Sequence, residues 1–244
     1  MTQSGRSSRV KQIYIGFDPR PAEVQAYAVA RQSIDQRLSE GLPIYPVILE
    51  HLRARGLYTR EHETIGDQMY DLISAAPMAT EFAISRFLVP HLAKNGAALF
   101  VDADVMARDD LMKLFDEFDP DKAVMVVKHA PYATGQTKMD GQAQTSYARK
   151  NWSSVCLWNC DHPKTKLLTP DIVNSARGLW LHQFGWLEDD DIGELSPRWN
   201  WLVGYHNTPN PGLVHFTDGV PTMPGKANVA YASEWWRELL EWAR

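Results

Sequence analysis

Two aspartates, Asp102 and Asp104, follow directly after the apolar stretch 97–101, which predicts a buried strand. Ligands of open α/β sheets bind at the carboxyl ends of the strands, where this pair would lie. Side chains two residues apart in an extended chain point to the same side, so both carboxylates would reach one hard divalent cation, with the small Ala103 leaving room for a ligand. Such a cation also binds phosphate oxygens, and the pair therefore predicts a bridge from the protein to a nucleoside diphosphate.

The same segment, Asp102 to Val105, also fits the motif of the haloacid-dehalogenase phosphatases, with the acidic run 188–191 as their later acidic pair. That motif usually lies on the first strand of the fold, whereas a complete strand–helix–strand unit precedes it in this chain. The acidic run follows Trp186 and Leu187 instead of an apolar strand, which favours a solvated helix start. A solvated strand end without a ligand is the remaining alternative for the aspartate pair.

The segments that must position this pair alternate between apolar runs and helical patterns, which predicts an α/β fold. The first two strands and the helix between them form a βαβ unit, which is normally right-handed and parallel. Thr80 is the expected N-cap of a later helix, and Pro90 is expected to kink that helix. Residues 50–78 show no pattern that we can assign. We predict strands over 12–17, 44–49, 97–101, 123–127, 153–158 and 213–216, and helices over 22–38, 80–92 and 232–244.

The chain has 244 residues, of which 25 are Lys or Arg and 30 are Asp or Glu, so its net charge is −5. This negative charge argues against a protein that binds nucleic acids or anionic membranes. We expect a loose tail over 1–11 and a single domain over 12–244, without a signal peptide or a membrane span. Cys156 and Cys160 would lie about 13 Å apart on one strand, too far for a disulfide. Two unpaired thiols indicate a cytoplasmic protein.

Five segments, in this order along the chain, give the sequence a resemblance to glycosyltransferase family 8 and its bacterial and phage relatives. The resemblance implies the GT-A fold, a Rossmann-like, nucleotide-sugar-binding α/β fold with a mostly parallel central sheet flanked by helices. The segments are IYIGFDPRPAEV (13–24), TEFAISRFLVPHL (80–92), FVDADVM (100–106), NWSSVCLWNCDHP (151–163) and LVHFTDGVP (213–221).

The last of these segments adds a third metal ligand to the aspartate pair. The family has a His-aromatic-x-x-Gly pattern near its C-terminus, which His215 and Gly219 match. The resemblance implies that Asp102, Asp104 and His215 hold a divalent cation, Mn²⁺ or Mg²⁺, and a neutral imidazole suits Mn²⁺. The lysine that follows in the family is missing from its place, and we expect Lys226 to substitute for it.

The resemblance also implies a set of residues that contact the donor. Arg86 matches an arginine that faces the diphosphate, a role that suits a planar guanidinium, and its alternative is an ion pair with Glu81. Asp18 matches a contact to the base or ribose, and it is equally explained as a turn residue before a helix. The implied donor-binding residues are Gly16, Phe17, Asp18, Arg86, Ala103, Gly219 and Lys226.

On the acceptor side, the Asn of the family pattern falls on Trp152, one residue after Asn151. Trp152 is expected either to pack against a sugar face or to lie in the core. Lys138 and Asp140 lie in a polar stretch of about twenty residues, and loops of that length are often functional. We therefore expect an acceptor-side flap there, with Gly141 as its hinge.

Gln183 keeps the middle residue of the family's Asp-Gln-Asp triplet, whereas His182 and Phe184 replace the two acids. The resemblance implies that the reaction retains anomeric configuration. Because an amide is a feeble nucleophile, we assign Gln183 to positioning. We expect a front-face route, in which the departing phosphate helps to deprotonate the acceptor.

These features together predict the transfer of a hexosyl group from a nucleotide sugar, most simply a UDP-sugar, to a hydroxyl group of a glycan, lipid or protein. A different possibility is a sugar-phosphate nucleotidylyltransferase, although GFDPRP supplies one glycine where that class has a glycine-rich loop. A phosphatase of the haloacid-dehalogenase class and a non-catalytic module that binds carbohydrate or nucleotide also stay open.

Overall fold

The computed structural model of the chain describes residues 9–130 and 149–244. Within these ranges, strands form three sheets and short helices surround them, which confirms the α/β class. The strands are β1 (Lys11–Gly16), β2 (Ile44–Val47), β3 (His62–Ile65), β4 (Gln68–Asp71), β5 (Ala76–Met78), β6 (Ala97–Val101), β7 (Val105–Ala107), β8 (Val124–Val126), β9 (Val155–Asn159), β10 (Ile192–Glu194), β11 (Trp201–Leu202) and β12 (Leu213–His215). The α-helices are α1 (Pro21–Arg37), α2 (Leu49–Ala54), α3 (Phe82–Ser85), α4 (Val89–Ala93), α5 (Met112–Phe115), α6 (Pro163–Lys166), α7 (Pro170–Ser175), α8 (Gly178–His182) and α9 (Ala232–Trp242).

The central sheet has the strand order β10-β8-β9-β6-β1-β2. β1 pairs in parallel with β2 and β6, and β10 pairs in parallel with β8, whereas β9 runs antiparallel to both of its neighbours. α1 connects β1 to β2, as the predicted βαβ unit requires. Because Ile15 lies opposite Val101, the chain leaves β1 and β6 at the same edge of the sheet.

Apolar side chains cover both faces of this sheet. Tyr14 and Phe100 belong to one buried cluster, whereas Ile13, Ile15 and Leu99 belong to another. Successive side chains of a strand point to opposite faces, so the two clusters lie on the two sides of the sheet. This double burial explains why β1 and β6 read as continuous apolar runs and could be predicted.

The two longest helices pack against each other. Their contact includes an ion pair of 2.6 Å between Arg37 and Glu238 and a hydrogen bond of 2.7 Å between the side chains of Gln36 and Glu241. Trp235 of α9 is fully buried, which confirms the predicted aromatic-faced helix at the C-terminus. Among the helices of the two described ranges, none is both long enough and apolar enough to cross a lipid bilayer.

The second sheet has the order β11-β12-β7, and a turn connects its strand β7 to β6. This turn contains Asp102 and Asp104, so the prediction of an extended chain through them is wrong. The chain turns because it must leave one sheet and enter another. The N–H of Asp102 donates to the carbonyl of Ser154 at 2.9 Å, and the N–H of Phe216 donates to the carbonyl of Asp104 at 2.9 Å.

The single helix predicted over residues 80–92 is divided into α3, a 3₁₀ turn at Arg86–Leu88 and α4. Glu81 occupies the N-cap position of α3, which was predicted for Thr80, and it makes no side-chain capping bond. Pro90 lies in the first turn of α4, directly after the 3₁₀ turn that interrupts the predicted helix. An N–H group has no partner within the helix at that point, so proline is well tolerated there.

Residues 50–78, which showed no assignable pattern, contain α2 and the third sheet. This sheet is antiparallel with the order β3-β4-β5. Its strands have only three or four residues, too few for a clear alternation of polar and apolar side chains.

Gly16, the last residue of β1, lies against the ring of Phe82 in α3. A β-carbon added at Gly16 would be 2.5 Å from that ring, so Gly16→Ala must displace either the ring or the strand. We expect the substitution to lower the free energy of unfolding by about 1–3 kcal/mol, the usual cost of overpacking. Urea unfolding followed by tryptophan fluorescence measures this change.

Gly41→Ala is the matched control, because a β-carbon added at Gly41 meets no atom within 4 Å. Its free energy of unfolding should stay within about 0.5 kcal/mol of the wild type. Equal losses in the two variants would contradict a specific contact between Gly16 and Phe82.

Candidate active site

Asp102, Asp104 and His215 converge at the edge of the central sheet. Each is buried, and their candidate ligand atoms all lie within 4.8 Å of one another. Nε2 of His215 is 3.3 Å from Oδ1 of Asp104. The structure thus brings together the three residues to which the sequence assigned a metal, although more than a hundred positions separate the aspartates from the histidine.

The orientation of His215 suits a metal ligand. Its Nδ1 lies 2.8 Å from Oδ1 of Asn200, and a carboxamide oxygen only accepts, so Nδ1 bears a proton and Nε2 is the ring nitrogen that faces the aspartates. Two carboxylates and one imidazole nitrogen turned toward a common point fit a divalent cation, and the imidazole favours Mn²⁺ over Mg²⁺.

Arg86 is fixed next to this group. Its Nη1 lies 2.6 Å from Oδ1 of Asp102 and donates to the carbonyl of Ser153 at 3.0 Å. The guanidinium carbon also lies 5.3 Å from the ring centre of Phe82 and 5.1 Å from that of Phe100. Arg86 therefore pairs with the aspartate motif, and the alternative pairing with Glu81 is not what the structure shows.

A cavity of about 350 Å³ extends from Arg86 and the two aspartates. Residues 76–80 and 82–84 form a mainly apolar part of its wall. The remaining wall is mainly polar and includes residues that the sequence analysis did not assign to the site: Glu23, Asp71, Ser74, Lys150, Asn151, Arg177 and His182.

Asn151 lines this cavity, whereas Trp152 does not. Asn151 has a φ of +61°, and its Nδ2 donates to Oγ1 of Thr217 at 3.2 Å. The indole N–H of Trp152 donates to the carbonyl of His129 at 3.2 Å. Counting along an unbroken strand aligned Trp152 with the Asn of the family pattern, but a left-handed residue and a 3₁₀ turn (Trp152–Ser154) precede β9. Asparagine tolerates the left-handed region of backbone conformation better than most residues. This preference could have indicated a turn at Asn151 from the sequence.

Gly16, Phe17 and Asp18 hold the end of β1 in place but do not line the cavity. The carboxylate of Asp18 is fully buried and accepts hydrogen bonds from the backbone and guanidinium of Arg20 and from the N–H of Glu81, all at 2.9–3.0 Å. Asp18 therefore joins the turn after β1 to the start of α3. Its contact with a base or ribose stays a prediction, as do those of Gly16 and Phe17.

Ala103 and Gly219 are close in sequence to the three candidate metal ligands. Ala103 is fully buried in the turn between the two aspartates. Gly219 has a φ of +122°, and a β-carbon added to it would be 3.4 Å from Cγ of Lys226. Lys226 thus lies against the residue that ends the His-aromatic-x-x-Gly pattern, and its role in place of the missing lysine stays a prediction.

Gln183 follows directly after α8, and its carbonyl accepts a hydrogen bond from Arg149. Its neighbour His182 lines the cavity and lies 2.8 Å, by its Nδ1, from the hydroxyl of Ser153. The roles given to Gln183 and to Trp152 stay predictions. Lys138 and Asp140, with the hinge predicted at Gly141, lie outside the described residues.

The acidic run 188–191 lies apart from the cavity. Its last three residues form an exposed 3₁₀ turn with a capping box at Glu188, which confirms the predicted solvated helix start. Asp189 pairs with Arg149, and Asp191 pairs with Lys164 at 2.6 Å. The run thus lacks the position next to Asp102 that the phosphatase hypothesis requires.

A buried ion pair that the sequence did not indicate holds another part of the cavity wall. Nε of Arg60 donates to Oδ1 of Asp71 at 2.9 Å, and Nη1 donates to the carbonyl of Val173 at 2.9 Å. The hydroxyl of Ser74, which also contacts Arg60, accepts a hydrogen bond of 2.8 Å from the N–H of Gly178. This network attaches the third sheet to α7 and α8.

No protein-family model matches the chain. Among curated proteins, Protein CDI of Arabidopsis thaliana is 41% identical over 237 residues, which cover 94% of this chain and 86% of that protein.

Solved glycosyltransferases resemble the structure over most of its length. GlyE of Streptococcus pneumoniae TIGR4 has a TM-score of 0.60 at 16% identity and covers 96% of this chain, which spans 62% of that chain. The bifunctional glycosyltransferase WbbM has a TM-score of 0.57 at 14% identity and covers 96% of this chain, which spans only 52% of its length. The galactosyltransferase LgtC, solved with donor and acceptor sugar analogues, has a TM-score of 0.50 at 15% identity, with 94% and 95% of the two chains covered. At these identities the likeness shows a shared fold, which confirms the predicted GT-A fold.

The buried pair of Arg60 and Asp71 should dominate the stability of the cavity wall. Burial opposes ionisation of Asp71, but the hydrogen bonds from Arg60 and Ser74 and the charge of Arg60 outweigh it, so the pKa of Asp71 lies below its usual value. Asp71→Asn leaves Arg60 buried without its counter-charge and should lower the free energy of unfolding at pH 7 by about 3–5 kcal/mol. Urea unfolding measures this loss.

The same pair predicts a pH dependence. A carboxylate with a lowered pKa stabilises the fold above its unfolded pKa of about 3.9, and this contribution disappears as the pH falls through the folded value. The difference between wild type and Asp71→Asn should therefore narrow in acid. Asp35→Asn is the control, because Asp35 is an exposed partner of Arg31 at 3.9 Å and should contribute little at any pH. A difference between wild type and Asp71→Asn that stays constant from pH 7 into strong acid would contradict this assignment.

Proposed function

We propose that this chain, which belongs to the family of Protein CDI of Arabidopsis thaliana and has the GT-A fold, is a metal-dependent glycosyltransferase. It transfers a hexosyl group from a UDP-sugar to a hydroxyl group of a glycan, lipid or protein, with retention of anomeric configuration, and residues 12–244 act as one domain. The observation that supports this function best is the convergence of Asp102, Asp104 and His215 beside Arg86 at the carboxyl end of β6.

The reaction is limited by negative charge that develops on the departing nucleoside diphosphate. A divalent cation, when bound, stabilises that charge without proton transfer. Asp102, Asp104 and Nε2 of His215 would hold it. Arg86, already fixed by Asp102 and by the carbonyl of Ser153, adds positive potential that needs no rearrangement during the reaction.

Other cavity residues bind and orient the sugar. Asn151 and His182 place hydrogen-bonding groups in the cavity that also contains the aspartates, so they are suited to orient sugar hydroxyls. Lys226 and Gly219 lie beyond His215 and would approach the diphosphate from that side. Gln183 positions the sugar or acceptor, and the acceptor hydroxyl transfers its proton to the departing phosphate, so no protein base is required.

The two cysteines support a reducing compartment such as the cytoplasm. Cys156 and Cys160 are both buried as free thiols. Burial, together with the neighbouring Asp161, raises the pKa of Cys160 to about 12, so this thiol stays protonated and unreactive at neutral pH.

The metal site is tested by thermal denaturation with UDP, with and without Mn²⁺. In the wild type, UDP should raise Tm only when Mn²⁺ is present, since a ligand stabilises the state that binds it. Asp104→Ala removes a metal ligand and should abolish both this shift and the Mn²⁺-dependent hydrolysis of the donor. Without ligands its Tm should stay near that of the wild type, because removing one of two neighbouring carboxylates relieves their repulsion.

Asp190→Ala is the control for this test, because Asp190 is exposed in the acidic run and does not line the cavity. It should behave like the wild type, and a loss of activity in this variant would support the phosphatase instead.

Stabilisation by a nucleoside triphosphate would support a nucleotidylyltransferase, and stabilisation by a simple sugar phosphate would support either that enzyme or the phosphatase. A shift by UDP that persists in Asp104→Ala would contradict the proposed metal site.

Arg86 is tested by comparing donor and acceptor affinities. Hydrogen bonds to charged groups contribute about 1.5–3 kcal/mol, so Arg86→Ala should weaken UDP binding in Mn²⁺ by about tenfold or more. Arg86→Lys should recover part of this loss, since it keeps the charge but not the planar fork. Isothermal titration gives the UDP affinity, and KM gives the effect on the acceptor.

Arg108→Ala is the matched control, because Arg108 pairs with Glu234 at 2.7 Å away from the cavity. It should leave UDP affinity unchanged. If Arg86→Ala raises the KM of the acceptor more than it weakens UDP binding, Arg86 belongs to the acceptor side.

A further inference from the structure

Asn200 connects two parts of the candidate active site. It ends the 3₁₀ turn Pro197–Asn200 and is fully buried. Its Oδ1 accepts a hydrogen bond from Nδ1 of His215 at 2.8 Å, and its Nδ2 donates to the carbonyl of Asn151 at 3.0 Å. One carboxamide therefore contacts both a metal-ligand histidine and the segment whose side chains line the cavity.

The geometry determines the orientation of this carboxamide. If the amide were reversed, its NH₂ group would face the N–H of His215, and its oxygen would face the carbonyl of Asn151. Both contacts would be unfavourable inside the protein, where a buried polar group without a partner is costly. The observed orientation in turn places the proton of His215 on Nδ1 and leaves Nε2 toward Asp104, 3.3 Å away.

The turn that ends at Asn200 is itself attached to the rest of the fold. Arg198 pairs with Asp109 at 2.7 Å, and its carbonyl accepts a hydrogen bond of 2.8 Å from the N–H of Gly212. The indole of Trp199 donates to Glu117 at 2.6 Å. These contacts hold the backbone of Asn200 in place, so its side chain acts from a fixed position.

We infer that Asn200 is a positioning residue, which holds the tautomer and ring orientation of His215 and aligns them with Asn151 in the cavity wall. This inference rests on the proposed metal-dependent function. Asn200 touches neither the cation nor the donor, and it acts through the two residues that do. One side chain thereby couples the affinity for the cation to the affinity for the sugar of the donor.

Mn²⁺ affinity is the most direct measure of this role. In a titration of the full chain with Mn²⁺, electron paramagnetic resonance reports the free ion, and Asn200→Ala should weaken binding by about 10–100-fold, as is usual for residues that orient a metal ligand. Asn200→Asp keeps an acceptor for the Nδ1 proton and should keep most of the affinity for Mn²⁺. Because it loses the donor to Asn151, which is proposed to orient the sugar, it should weaken the binding of UDP-glucose at saturating Mn²⁺ and leave the binding of UDP unchanged.

Asn159→Ala is the matched control. Asn159 is also a buried asparagine, and its side-chain amide donates to the backbone carbonyl of Pro120 at 2.8 Å. It is the last residue of β9, at the opposite end of that strand from Val155. Its loss should lower Tm and leave Mn²⁺ affinity unchanged. If Asn200→Ala binds Mn²⁺ as tightly as the wild type, or if Asn159→Ala loses as much affinity, the inference is wrong.

A measurement on the wild type keeps the test valid if Asn200→Ala does not fold. Long-range ¹H–¹⁵N spectra of the metal-free chain should show a proton on Nδ1 of His215, with the signal identified by its loss in His215→Gln. A bare Nδ1 would overturn the role of Asn200. A wild type that does not bind Mn²⁺ would instead end the proposed function, so the two failures are distinguishable.

Discussion

The pairing of β12 with β7 is the constraint on which the candidate active site depends. In this register His215 lies opposite Val105, one residue after Asp104. A slip of one residue would turn the imidazole to the other face of the strand. The register is favoured by burial on both sides, because Leu213 and Val214 belong to different apolar clusters and a slip would exchange their surroundings. Ordinary apolar packing thus fixes the position of a metal ligand.

The charges around the cavity agree with the proposed metal dependence. Four acidic side chains line the cavity, namely Glu23, Asp71, Asp102 and Asp104, against three basic ones, namely Arg86, Lys150 and Arg177. The net charge of these side chains is negative, which disfavours a diphosphate, and a bound divalent cation would reverse its sign. Under the proposed function, the cation would therefore bind before the nucleotide.

The sequence predicted those parts of the fold in which local pattern and burial agree. β1 and β6 are apolar along their whole length because both faces are covered, and the resemblance brought Asp102, Asp104 and His215 together correctly. The turn at Asp102, the short strands of residues 62–78 and the pair of Arg60 with Asp71 could not be predicted in this way. The turn at Asp102 depends on contacts with Ser154 and Phe216, which are distant in sequence, and a chain that changes from one sheet to another carries no periodic signal. Strands of three or four residues are too short for a clear alternation, and the buried environment of Arg60 depends on the distant Val173. The alignment of the family Asn with Trp152 counted back along an unbroken strand, whereas the structure has a 3₁₀ turn at Trp152–Ser154 before β9.

Two buried polar networks hold different parts of the cavity wall. Asn200 contacts His215 and Asn151, whereas Arg60 and Asp71 attach the third sheet to α7 and α8. Hydrogen bonds are directional, so they restrict the positions of these segments more narrowly than apolar contacts would. Residues 76–80 form a mainly apolar part of the wall, and exchanges of similar volume are tolerated in apolar packing. Under the proposed function, substitutions among residues 76–80 would therefore change the shape of the cavity with less effect on the candidate metal ligands than substitutions in either network.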